Sequence, residues 1–471
     1  MKNATRQGEK NKILFFLFLL AFFTRIVLIN WYSAEYTDAI FQMTLFSNQS
    51  TFWPPLYTLL IKLFNFFCGD LELSGRFVSI LAGSICVYPV YWIGKLIFNR
   101  KVAIYTAILY IFSPVVFRWN LRVMSDSLFT LLFLGSLVFL LRFYFDPEGK
   151  WLLLGFFGAG LASLTRYEGI ALIPLIMFLW IREIDKKRYK SLFTSLWGLF
   201  PWLLLGWWLN YRGFGHFTQH KERMAESLLS NLFMYLTEIE GYILTIPYIL
   251  TYPIFIFFCY GAYKAKNLQR GKILLLVLFY LLILWLITHS TLRSFQTRYF
   301  LPLVPLFLIL AGYGLSYAKR GRLAFGVCLG ISIIFSSAVL FYQRDTFGEV
   351  QRASLWIKYN VKRDTIFSDE LHKTQFWSGK KIKPLESRDI RAGDYLVIHS
   401  FYSPLSQAIN YFQKRYEVKV VYQTTSSIIP LLSDLVSRPE FTNSPRWLVM
   451  KYQKQTFRSV VLKIIKEKNE K

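Results

Sequence analysis

About eleven apolar stretches, most of them long enough to cross a bilayer, run through the first three quarters of the chain. They read as residues 13–30, 77–98, 102–117, 126–145, 151–164, 168–181, 191–209, 242–263, 273–289, 299–317 and 323–342. Backbone amides in hydrocarbon must bond within their own segment, so spans of this length imply helices. The pair 151–164 and 168–181 is short and either crosses steeply or breaks around Thr165-Arg166-Tyr167-Glu168-Gly169, which allows a count of ten. Hydrophobic residues make up 54% of the chain, and Trp and Tyr gather near span ends, where amphipathic rings favour the headgroup layer. A soluble protein is excluded, and the fold class is a polytopic α-helical membrane protein with about 11 transmembrane helices.

The first span follows a basic start, Lys2, Arg6, Lys10 and Lys12, as a signal peptide would. Its apolar core is long, however, and no small-residue cleavage site precedes Asn30-Trp31-Tyr32, so a retained helix is expected. Basic residues favour the cytoplasmic ends of spans. Lys95, Arg100 and Lys101, then Arg182 to Lys190, then Lys264 to Lys272, then Lys319, Arg320 and Arg322 fall on alternate turns. Those turns and the N-terminus are expected in the cytoplasm. The opposite loops, 31–76, 118–125, 165–167, 210–241 and 290–298, face the periplasm or exterior of a plasma (inner) membrane, with the tail from about residue 343 on their side. The formal net charge of +27 sits largely in the short cytoplasmic turns, where topology and anionic lipid account for it and a nucleic-acid partner is not implied. Cys68, Cys86, Cys259 and Cys328 show no paired spacing and read as packing residues.

Composition divides the chain into a transmembrane part, 1–342, and a tail, 343–471. In the tail, strand-like runs (365–367, 395–398, 418–422) alternate with helical patterns (349–360, 403–415), as in a small α/β exocytoplasmic domain. It shows no glycine-rich phosphate loop or nucleophile elbow, so capping or acceptor recognition is its expected role.

Chemistry concentrates in the outward loops. Trp31 to Gln42 places Glu35 and Asp38 just past the membrane edge among aromatic rings, where Asp38 can serve as a general base; solvated loop acids or helix caps are the alternative. Phe52-Trp53-Pro54-Pro55-Leu56-Tyr57 then leads a run to Phe67 that fits an interfacial amphipathic helix, either flooring a lipid-facing groove or simply anchoring. Arg118, Arg122 and Asp126 stand at the mouth of a later span. They read equally as a phosphate site and as an Arg122–Asp126 ion pair one helical turn apart. Arg166 and Glu168 lie at the break between two apolar helices, and Arg293 and Arg298 precede another span. Several guanidinium groups facing one compartment at interface depth suit an anionic headgroup, specifically the phosphate of a lipid-linked substrate. His216 and His220, ahead of Glu222 and Glu226, have a spacing a divalent metal can use, but an ordinary loop is the favoured reading.

An outward Asp in the first loop, Pro54-Pro55-Leu56-Tyr57 before an interfacial helix, Ser125-Asp126 opening a span, Thr165-Arg166-Tyr167-Glu168-Gly169, and Arg298-Tyr299 with Pro302 and Pro305 together resemble the GT-C glycosyltransferases. The likeness is greatest to bacterial relatives of protein O-mannosyltransferases and aminoarabinose transferases, over about residues 10–342. It implies inverting transfer of a hexosyl or pentosyl group from a polyprenyl-phosphate donor to an extracytoplasmic protein, lipid or cell-envelope glycan. Asp38 matches the first-loop acid, expected to deprotonate the acceptor, and Asp126 the second-loop acid, expected to orient the acceptor or support the base. Arg166, Arg298 and, less directly, Arg122 would meet the donor phosphate, with Glu35, Tyr57, Glu168 and Tyr299 in support. Many members carry Asp-Glu in the first loop, whereas Ala39 follows Asp38 here. That departure puts any metal the second acid would help to hold in question, and metal-independent catalysis without a cofactor is the expectation because a phospholipid leaving group already departs with a stabilised charge. A transporter or flippase of a lipid-linked sugar, or a glycan polymerase or ligase, is the alternative; a transporter would be expected to show related halves and midplane charges, which this chain lacks.

Overall fold

The computed structural model describes residues 2–46, 53–212, 246–291, 297–362, 364–386, 389–400, 405–429 and 455–468. They form two compact units. One draws on Met1–Ile29 and Gln42–Val339; the other on Asn30–Phe41, Leu340–Leu431 and Met450–Lys471. The first outward loop thus belongs, up to Phe41, to the same unit as the tail.

The first unit is helical. Among the described residues four helices are long and apolar enough to cross a membrane: Leu71–Ile97, Asp126–Phe145, Tyr189–Tyr211 and Gly321–Tyr342. Arg100–Ile111 and Pro114–Asn120, bent by 56°, pass the same test together, as a broken span or a re-entrant loop. Pro114 begins the second piece, and a proline that cannot donate to the preceding turn accounts for the bend. Other expected spans are present as shorter or differently bounded helices, among them Lys2–Ile26, Tyr252–Ala265, Gln269–Thr291 and Val304–Tyr317.

Local sequence explains several ends. Asp70 caps Leu71–Ile85 by accepting from the Leu73 amide at 2.9 Å, and Asn99 caps Arg100–Ile111 by accepting from Val102 at 3.1 Å. Gly69, at φ 69°, closes Leu56–Cys68 in the left-handed conformation that favours glycine. That helix buries Tyr57, Thr58 and Ile61 and turns Leu63, Phe66 and Phe67 outward, Phe66 being 85% exposed, as an interfacial helix requires. Helices Tyr252–Ala265 and Val304–Tyr317 nearly touch through two glycines. A Cβ on Gly261 would fall 1.8 Å from the Leu310 carbonyl oxygen, and one on Gly314 2.2 Å from that of Phe257. The expected break at Thr165–Gly169 is present: helix Gly149–Ser163 ends, a 3₁₀ turn Tyr167–Leu172 follows, and Ile173–Asp185 resumes.

The second unit is α/β. Its sheet contains β1 (Ile366–Ser368), β2 (Lys383–Pro384), β3 (Tyr395–His399), β4 (Tyr416–Ile428) and β5 (Gln455–Glu467), in the order β2-β1-β3-β5-β4. β1 runs parallel to β2 and β3, and β5 is antiparallel to β3 and β4, with Val397 opposite Val461. Helix Gly348–Asn360 buries Ala353 and Ile357 against Ile366, Val397 and Val461, while helix Leu405–Arg415 lays Phe412 with Leu396, Val460 and Leu462. β2 and β5 were not expected from the sequence.

Candidate active site

In the helical unit several of the arginines and acids singled out from the sequence converge. Arg166 follows directly on the end of its helix, and its guanidinium reaches two carboxylates. Nη1 donates to Asp126 Oδ1 at 3.1 Å, Nη2 to Glu168 Oε1 at 2.6 Å, and Nε to both Glu168 oxygens at 3.2 and 3.3 Å. Asp126 is the first residue of its helix, where the free amides and the helix dipole favour a carboxylate. Burial alone would lower the Arg166 pKa, but the Coulomb pull of Asp126 and then Glu168 raises it above its ordinary value. Arg166 and Asp126 are 6% and 3% exposed, and Asp126 Oδ2 has no hydrogen-bond partner among the described residues.

Aromatic faces line the cations. Arg166 lies 5.7 Å from the ring centres of both Trp53 and Tyr299, and Arg298 lies 5.3 Å from Tyr299 and 5.7 Å from Trp119. Arg118 stands over the same Trp119 ring at 4.6 Å. Arg298 Nη1 donates to Met124 Sδ at 3.1 Å, and Trp285 fixes the backbone beside it by donating to the Tyr299 carbonyl at 2.6 Å. Arg166 and Arg298 repel one another across this box. The charges are therefore held close to one another by protein geometry.

Other expected site residues take different parts. Tyr57 bonds Gly75 O at 3.1 Å and Ser79 Oγ at 2.8 Å, and Ser79 continues to Met124 O at 3.1 Å, so Tyr57 ties the interfacial helix to the wall of the box. Arg122 is fully buried in the turn before Asp126. The expected one-turn helical Arg122–Asp126 arrangement does not form, because the helix begins only at Asp126, whose carboxylate takes Arg166 from 40 residues away. In the second unit Glu35 is fully buried and Asp38 half-buried, on the short helix Thr37–Met43. Gln42, which sequence reasoning passed over, exchanges bonds with Ser125: Nε2 donates to Ser125 Oγ at 3.3 Å and Oε1 accepts from the Ser125 amide at 3.1 Å. A lone glutamine in a loop gives no local signal for that pairing. Among the described residues no three His, Cys, Asp or Glu side chains gather as a metal cluster. His216, His220, Glu222, Glu226 and Arg293 lie outside the described residues.

Residues 53–208, which supply Trp53, Asp126, Arg166 and Glu168, match the family model of dolichyl-phosphate-mannose-protein mannosyltransferase. The fold is similar to that of ArnT from Cupriavidus metallidurans bound to undecaprenyl phosphate, with a TM-score of 0.59 at 14% identity over 97% of this chain and 98% of that one. The likeness is one of sequence over 53–208 and of fold over nearly the whole chain. The apo state of the same ArnT gives a TM-score of 0.56 at 12% identity, covering 85% of this chain and 95% of that one. The Archaeoglobus fulgidus oligosaccharyltransferase, complexed with Zn and sulfate, gives 0.52 at 12% identity, over 82% of this chain and 67% of that one. No curated protein matches the sequence. At these identities the solved structures speak for the fold.

Proposed function

We propose that this protein is an inverting glycosyltransferase that moves a hexosyl or pentosyl group from a polyprenyl-phosphate donor to a hydroxyl on an acceptor outside the cytoplasm. In this reading about eleven crossings hold it in the plasma (inner) membrane, with the N-terminus cytoplasmic and the second unit outside. The observation that supports it most is the buried box in which Arg166 and Arg298 share Tyr299 beside Asp126, within a GT-C fold.

Asp38 takes the acceptor hydroxyl proton as that oxygen attacks the anomeric carbon. The bond between that carbon and the phosphate oxygen breaks in the same displacement, the configuration inverts, and the polyprenyl phosphate leaves with the electron pair. Arg166 and Arg298, with Arg122 behind them, stabilise the charge developing on the phosphate. The free oxygen of Asp126 orients the acceptor hydroxyl, and Glu168 holds Arg166 in place. Glu35 and Tyr299 support the base and the phosphate site, and no metal or cofactor takes part.

The test is transfer from a panel of radiolabelled polyprenyl-phosphate hexoses and pentoses in membranes containing the wild type or Asp38→Asn, with and without chelator. Transfer lost in the variant and retained with chelator is the expected result. Full transfer by Asp38→Asn would remove Asp38 as the base. Donor crossing the membrane with no transferred product would indicate a flippase instead.

A further inference from the structure

The second unit encloses its own charged cluster, which the sequence did not single out. Glu370 and Lys373, at the start of helix Leu371–Ser378, form an ion pair at 3.1 Å and are 5% and 2% exposed. The Lys373 ammonium also lies 3.6 Å from the centre of the Phe347 ring. Glu349, equally buried, accepts from the Ser426 hydroxyl. Phe347 has φ 61°, a conformation bulky L-residues rarely adopt and one that persists only where surroundings enforce it. Its neighbours show what it is held against: Lys373, and the edge of Tyr36 at 5.4 Å between ring centres.

Tyr36 is two residues before Asp38, and the rest of that loop is gripped within the same compact unit. Trp31 Nε1 donates to the Leu340 carbonyl at 2.9 Å, the Ser33 amide to that of Arg344 at 3.1 Å, and Arg344 stands over Trp31 at 4.7 Å. Beyond Asp38, Phe41 packs against His372 at 4.5 Å. The two residues adjoining Lys373, Phe347 in space and His372 in sequence, therefore touch the loop on either side of Asp38.

We propose that Lys373 is a positioning residue for Asp38: its buried ammonium, aimed by Glu370 and the Phe347 ring, holds the first-loop carboxylate in its working place. This rests on Asp38 being the base proposed above. The surroundings are consistent with it. Burial lowers the Lys373 pKa, while the attraction of Glu370, Glu349 and Asp38 favours the charged ammonium. His372 is lowered by burial, opposed by Glu370. Burial and the Lys373 charge push His399 down to about 3, so it adds no cation near neutral pH, and burial pushes Asp369 up to about 7.

Four full-length proteins decide the matter: wild type, Lys373→Met, Lys373→Arg, and the double variant Lys373→Met with Glu370→Gln. The double variant removes the pair together and leaves neither charge buried alone. Hydrogen exchange over residues 33–43 is measured on the detergent-purified chain. In parallel, kcat, KM and the pH profile are measured with the radiolabelled donor panel. Both Met-containing variants should exchange about threefold or more faster over 33–43. Their kcat should fall about tenfold or more with donor KM within about twofold, and the acid limb of kcat/KM should move about one unit upward. Lys373→Arg should stay near wild type in all three. Unchanged exchange over 33–43 in the double variant, or an equal loss in Lys373→Arg, overturns the proposal. If Asp38→Asn retains transfer, the base assignment fails, while the exchange result still reports whether Lys373 orders the loop.

Discussion

The two buried charge clusters are built differently. In the helical unit Arg166 bridges the two carboxylates Asp126 and Glu168, and Arg166, Arg298 and Arg118 are lined by aromatic rings. In the second unit a single ammonium, Lys373, is surrounded by Glu370, Glu349 and Asp38. In the first a guanidinium is shared between two carboxylates, and in the second an ammonium is paired with one carboxylate and capped by the Phe347 ring. Desolvated charges of one sign persist only where the opposite sign is supplied. The helical cluster is the one to which the proposed function assigns the donor phosphate, whereas the other is a closed pair of its own unit.

The sharpest test of this contrast is Arg166→Met. It leaves Asp126 and Glu168 facing one another without their cation, so we expect a loss of about 3–5 kcal/mol in unfolding free energy, measured on the purified protein, and transfer below detection. Unchanged stability would mean that Arg166 is not the counter-ion that keeps Asp126 and Glu168 buried. Next in size, Arg298→Gln removes a phosphate partner, and donor KM should rise about tenfold or more. If stability falls as far as in Arg166→Met while KM holds, Arg298 belongs to the scaffold. Gln42→Ala, which loses both bonds to Ser125, should cost about 1–2 kcal/mol, read as a lower denaturation midpoint.

The smallest effects are in pH. His399 is pushed down to about 3, so the folded unit binds fewer protons than the unfolded chain between about 3 and 6.5, and its contribution is lost as pH falls through that range. Asp369 is pushed up to about 7, so the folded unit binds more protons between about 4 and 7, and its contribution is lost as pH rises there. The two oppose each other, with His399 Nε2 and Asp369 Oδ1 3.8 Å apart. Asp369→Asn should make the β3–β5 amides exchange faster on acidification, and His399→Gln should make them exchange faster on neutralisation, each by an amount on the order of 1 kcal/mol after correction for intrinsic rates.

What the sequence made readable was local. Apolar runs placed many of the helices, the Thr165–Gly169 break was visible in its interruption of two short runs, and β1, β3 and β4 fell within a few residues of their alternating patterns. β5 escaped because Arg458, Ser459, Lys463 and Lys466 punctuate it, although Val460, Val461 and Leu462 lie at the middle of the sheet. The long-range pairings carried no local sign. Asp126 is as plausible a partner for Arg122 as for Arg166 until the helix start is fixed, and nothing in Leu371–Ser378 marks Lys373 as facing a loop encoded hundreds of residues earlier. The acids and arginines of the box were each identifiable by type, whereas which cation meets which acid was settled only by the packing of the chain.

The place of β5 between β3 and β4 also bears on biosynthesis. Chains are made from the N-terminus onward, so β4 has no ladder neighbour until residues 455–467 have been translated. Trp31 and Ser33 emerge early, yet the Leu340 carbonyl that takes the Trp31 bond lies 309 residues further along. The loop bearing Asp38 therefore spends about three quarters of translation without its clamp. A ribosome stalled anywhere in the membrane part would leave a chain whose spans have inserted but whose proposed base is still unhoused.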